Sequence, residues 1–257
     1  ALGVPLARRA DRARTYALLE LGVGVLGLAL LPLLRASDPL VGQLYRALGG
    51  ETPAFALARL GLLVAFLLPP AALMGATLPV LVAHVERDLV GAGLARLYAL
   101  NTFGAVAGSF AAGFVLLPGI GLSATTFVAA ALNLGVAAIA WTAGGRAAPA
   151  PEVVPASAPD RAALAPGVRH VFAWMFALSG FGALAFQMTW VRLFGLVFGS
   201  SVYSFSSVLG IYLLGIAVGS VLVGPRLARV GTLAGFGALQ LLLAGTAALA
   251  VQAFPNL

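Results

Sequence analysis

Apolar residues run along the chain in long, nearly unbroken stretches, separated by short arginine-bearing loops. The stretches show no period-two alternation, which argues against the strands of an outer-membrane barrel. Each is close to the roughly 20 residues that a helix needs to cross about 30 Å of hydrocarbon. The pattern predicts seven membrane helices, over residues 15–34, 55–82, 97–117, 123–143, 171–193, 202–224 and 233–254. The expected fold is an all-α polytopic bundle. One stretch breaks the monotony: LAFQMTWVRLFGLVFGSSVYS places Gln187, Thr189, Trp190 and Arg192, then Gly199-Ser200-Ser201, among Ala, Leu, Val and Phe.

Residues 144–168 differ in kind. Five prolines with Ala, Ser and Gly cannot form a packed element and read as an extended cytoplasmic linker. It divides the chain into a four-helix group (1–143) and a three-helix group (169–257). Without gaps, a shift of 220 residues sets Pro5 over Pro225, Arg9 over Arg229 and Glu20 over Gln240, as in a duplicated transporter-like bundle. On that register two helices precede Pro225 that have no counterpart before Pro5. The expectation is a fragment lacking two upstream helices.

Composition supports the membrane reading. Of 257 residues 61% are hydrophobic and 9% charged, with a mean hydropathy of +1.04, against about 25% charged in soluble domains. The net charge of +7 comes from fifteen basic residues, all arginine. Eleven (Arg8, Arg9, Arg12, Arg14, Arg87, Arg96, Arg146, Arg161, Arg169, Arg226 and Arg229) fall in loops of one side, and four (Arg35, Arg46, Arg59 and Arg192) on the other. The positive-inside rule then places the N-terminal end in the cytoplasm of a cell (inner) membrane protein. No basic stripe with interleaved aromatics suggests nucleic acid. The absence of cysteine excludes disulfides and thiolate chemistry.

Charged groups within hydrocarbon are functional suspects. Glu20 qualifies, either as a partner of Arg12 and Arg14 at the interface or as a cation or proton site. Arg59 and Arg192 lie near helix ends, where long side chains snorkel. Pro69, Pro70, Gly75 and Pro79 predict a kinked or broken helix, which either lines a transport site or is a structural kink. Gly104, Gly108 and Ala112, and Gly215 and Gly219, recur at the spacing of close helix packing, and Asn101 and Asn133 are expected to bond between helices. His84 and His170 are isolated. No metal motif, nucleotide loop or carboxylate pair is present, so no catalytic centre, metal site or cofactor site is expected in this chain.

Three passages together carry a resemblance: residues 179–220 (SGFGALAFQMTWVRLFGLVFGSSVYSFSSVLGIYLLGIAVGS), 68–81 (LPPAALMGATLPVL) and 96–125 (RLYALNTFGAVAGSFAAGFVLLPGIGLSAT). They resemble the membrane region of the membrane-embedded spermidine-synthase-like proteins, described as fused major-facilitator-like/spermidine synthases. The resemblance implies a duplicated bundle followed by a cytosolic aminopropyltransferase-like domain, here beyond Leu257, and a repeat whose first helix pair turns at Gly199-Ser200-Ser201. It departs at Gln187, where the family usually has Glu. The function it implies is a membrane module that anchors or serves such an enzyme. Two alternatives are a bundle moving a small cation such as a polyamine, with Glu20, Gln187, Arg192 and Asn101 on its pathway, and a non-catalytic scaffold. The implied partners are the lipid bilayer, the enzyme domain and a small polyamine ligand.

Overall fold

The computed structural model describes residues 12–85, 92–144, 166–199, 201–222 and 232–253. These are helical nearly throughout: α1 (Arg12–Ala36), α2 (Asp38–Leu48), α3 (Pro53–Val85), α4 (Ala92–Phe110), a π-helical turn (Ala111–Leu116), α5 (Leu117–Gly144), α6 (Pro166–Phe198), α7 (Ser201–Leu222) and α8 (Thr232–Ala253). The linker core at 145–165, Ser200, the Pro5/Pro225 register and the loop arginines Arg8, Arg9, Arg87, Arg146, Arg161, Arg226 and Arg229 lie outside the described residues.

The expected polytopic helix bundle is what the chain forms. Among the described residues, five helices are long and apolar enough to cross a membrane: Arg12–Ala36, Pro53–Val82, Leu97–Gly144, His170–Phe198 and Val202–Leu222. The third has 48 residues; at 1.5 Å per residue it would be about 72 Å long, more than twice a bilayer core. It is in fact two helices joined across Gly121, whose φ of 76° and ψ of 173° are non-helical. It therefore supplies two of the expected spans. α8 has 22 residues, with a shorter apolar segment at Gly235–Ala250.

The sequence pattern missed α2. Its 11 residues bury no side chain, begin at Asp38-Pro39 and stop at Gly49, whose φ is 78° and whose N–H bonds the Tyr45 carbonyl. At about 16 Å it is too short to span.

A correction concerns the prolines. Pro69, Pro70 and Pro79 do not break their helix, which runs continuously for 33 residues from Pro53 to Val85. Each proline removes one donor, but the flanking ladder holds. The irregular backbone lies instead at Ala111–Leu116 and Gly121.

The chain forms two compact units. Unit 1 comprises Ala1–Leu94 and Leu116–Val153, and so holds α1, α2, α3 and α5. In it α1 packs on both α3 and α5. Leu19 of α1 joins Ala76 and Val80 of α3 in a small core flanked by Tyr16 and Leu73. Close approach relies on missing side chains: a Cβ on Gly22 would come within 2.8 Å of Leu73, and one on Gly24 within 2.9 Å of Leu134. At one end of this packing the Arg14 guanidinium stands 5.4 Å from the Trp141 ring centroid, a cation–π contact.

Unit 2 comprises Ala95–Val115 and Val154–Leu257, and so holds α4, the π-turn, α6, α7 and α8. The π-turn meets α7: Ser109 Oγ donates to the Ser206 carbonyl at 3.1 Å, and Phe114 stacks on Tyr203 with centroids 5.2 Å apart. A Cβ on Gly113 would collide with the Ser206 side chain, and one on Gly210 with the Phe110 ring. Gly113 lies within the π-turn and meets Ser206 at this contact. Such bulges recur where helix packing is tight or functional.

The expected packing glycines are a second correction. Among the described residues, a Cβ on Gly104, Gly108, Gly215 or Gly219 would meet nothing within 4 Å, whereas Gly113 and Gly210 are in contact. Spacing alone names a small-residue stripe, not the helix face that meets a neighbour.

A membrane cavity and a buried carboxyl

α6 carries the stretch that broke the apolar pattern, and its helical period sorts those residues. Ala183, Gln187, Trp190 and Phe194 fall at i, i+4, i+7 and i+11, so they share one face. With Phe186 they form one wall of a cavity of about 590 Å³. α7 supplies Val208, Ile211 and Tyr212, and α8 supplies Leu243, Thr246, Ala247 and Ala250, again at helical spacings. The three helices belong to unit 2. Gly199 ends α6 with a φ of 63° and its N–H on the Gly195 carbonyl, the left-handed stop that glycine tolerates. The Trp190–Phe194–Phe198 ladder, with centroids 6.2 and 5.8 Å apart, stiffens the same end of α6.

Gln187 is the polar centre of this wall. It is buried to 9% exposure, and its amide makes no hydrogen bond among the described residues, though it lines open space. It lies 12 residues before Gly199, about 18 Å along the axis, near mid-membrane if that turn lies at the surface. Its amide opens onto the cavity rather than being sealed in protein, since no buried side-chain polar atom among the described residues lacks a partner. Two other polar residues of the stretch stand differently. Thr189 Oγ1 donates to the Ala185 carbonyl of its own helix at 3.0 Å, and Arg192 is exposed. Thr246 likewise bonds back to the Leu242 and Leu243 carbonyls, both at 2.9 Å. Among the described residues, no charged side chain lines the cavity.

Glu20 lies in unit 1, eight residues into α1, about 12 Å from its start. It is buried to 9% exposure and bonded by the Tyr16 hydroxyl one turn earlier. Asn101, on α4, is exposed and has no hydrogen bond among the described residues. Asn133 bonds the Ala129 carbonyl of its own helix at 3.1 Å rather than a neighbour. In an apolar surround an intrahelical carbonyl is always within reach, so it competes with any interhelical partner. The sequence candidates thus separate: Gln187 faces a cavity in unit 2, Glu20 is buried in unit 1, Arg192 and Asn101 are exposed, and Pro69–Pro79 lies within one continuous helix. Tyr212 and Thr246 were not anticipated; their helical register relative to Gln187 became visible only once α7 and α8 were placed.

These features define a polytopic membrane helix bundle with a ligand-sized cavity. Set against known proteins, the chain matches no family model, no curated protein and no solved structure.

Proposed function

We propose that this chain is the membrane module of a spermidine-synthase-like protein, and that it serves its enzyme domain by holding a small molecule rather than acting as an anchor alone. The observation that carries the reading is the cavity of about 590 Å³ with Gln187 on its wall, a side chain only 9% exposed whose amide opens onto the cavity and has no hydrogen bond among the described residues. Its size falls in the range of about 300–1,000 Å³ typical of ligand sites. An anchor requires apolar helices and nothing more. In this account the bundle resides in the cell inner membrane with its N-terminal end cytoplasmic, as the arginine distribution favours. The aminopropyltransferase-like domain follows on the cytosolic side.

The test is native mass spectrometry of the protein purified in mild detergent. A small molecule that co-purifies and is lost in Ala247→Phe, which fills the cavity, supports the reading. The same adducts in both proteins, or none in either, would leave the anchor.

One observation favours a second reading, a cation pathway in unit 1: Glu20 is buried in a span with Tyr16 as its hydrogen-bond partner. Polyamine uptake into proteoliposomes that is abolished by Glu20→Gln would support it. Equal uptake by both proteins, or none by either, would sink it.

A further inference from the structure

Building on the proposed ligand-holding role, we propose that the unit-2 cavity takes a neutral amphiphile, one long apolar chain with a single hydroxyl, carbonyl or amide head, and that Gln187 pairs with that head. Three observations select this class. First, no charged side chain lines the cavity among the described residues. A linear polyamine would bring two or more ammonium groups out of water with no counter-ion, a cost of several kcal/mol for each charge. Second, the wall is aliphatic and aromatic apart from a few polar atoms, so an apolar chain fills most of it. Third, Gln187 offers both a donor and an acceptor with no partner among the described residues, at 9% exposure. Thr246 uses its hydroxyl proton on its own helix, which leaves that oxygen able only to accept. A head that both donates and accepts satisfies the Gln187 amide; a bare alkane leaves it orphaned.

Tryptophan supplies the readout. The chain has three, and Trp190 lines the cavity. Replacing Trp141 and Trp174 by Phe leaves Trp190 as the sole indole emitter. The full chain in nanodiscs is titrated with a dibrominated long-chain alcohol, whose bromines quench a nearby indole, and with the matching dibrominated alkane. Saturable quenching by the alcohol, reversed by excess unbrominated alcohol, is expected. Gln187→Leu should weaken it about tenfold, the loss of one buried hydrogen bond, while leaving quenching by the alkane unchanged. Ala247→Phe should abolish the saturable component for both. Retained helical circular dichroism checks that the variants fold.

The outcomes separate the two claims. Equal affinity for alcohol and alkane, insensitive to Gln187→Leu, overturns head recognition but leaves the cavity a binding site. Displacement of the alcohol by spermidine at concentrations well below those that merely screen charge overturns the neutral class. Quenching that rises linearly, with no saturation in any variant, overturns both this inference and the ligand-holding role.

Discussion

Gly113→Ala probes the packing that builds unit 2. An alanine inside a helix ordinarily stabilises relative to glycine by about 0.5–1 kcal/mol. Here the added Cβ would overlap both Oγ and Cβ of Ser206, and the next Ser206 atom, its Cα, would stand at 3.8 Å. Overpacking of that kind costs about 1–3 kcal/mol, so the net loss should be about 1–2 kcal/mol. The geometry also specifies the rescue. Ser206→Gly removes both overlapping atoms and leaves the Cα at ordinary contact distance. It keeps the Ser206 carbonyl that accepts from Ser109. Gly113→Ala in that background should therefore be neutral or mildly stabilising, and the coupling between the sites about 1–3 kcal/mol. The assay is reversible unfolding by SDS of the purified protein in mixed micelles, followed by circular dichroism. The same loss in both backgrounds would refute the contact and with it the placement of the π-turn on α7.

Three further outcomes follow from the same structure. Gly121→Ala should destabilise by about 1–3 kcal/mol through backbone strain alone, since a Cβ there meets nothing within 4 Å, whereas Gly104→Ala should be tolerated. Equal unfolding midpoints for the two would contradict the helix division at Gly121. Tyr16→Phe should cost about 1–3 kcal/mol by removing the hydroxyl that bonds the buried Glu20, and much less in a Glu20→Leu background; strictly additive losses would break the pair. Gln187→Glu places a carboxylate in a cavity that has no charged side chain among its described lining residues. It should weaken neutral amphiphile binding and create affinity for a long-chain primary ammonium, measured by the Trp190 quenching titration; unchanged selectivity would mean that residue 187 does not face the ligand.

Element type was legible wherever the apolar runs were long, because in lipid every backbone group must be satisfied within the segment and the helix is what does so. The mistakes share a cause. Pro69, Pro70 and Pro79 each carry a local penalty, but continuity depends on whether the neighbouring turns hold, and the helix runs unbroken through them. Gly104 and Gly108 have the right spacing, but among the described residues the close contact falls on Gly113, in a π-turn that no local rule locates. α2 was visible in principle from Asp38-Pro39 and Gly49; its apolar positions were too few to register beside spans of twenty. At the site, Gln187 stood out as an amide in an apolar run. Whether it met a partner, solvent or a cavity required α7 and α8. Glu20 was flagged for the same reason; its bond to Tyr16 follows from the i, i+4 spacing, while its burial depends on α3 and α5.

The central claim is that Gln187 addresses a ligand. An experimental density map of the protein in lipid nanodiscs, at a resolution that defines side chains, tests it directly. The account predicts elongated non-protein density between α6, α7 and α8, with its polar end within hydrogen-bonding distance of the Gln187 amide. A cavity closed by protein side chains, with the amide bonded to one of them, would contradict it.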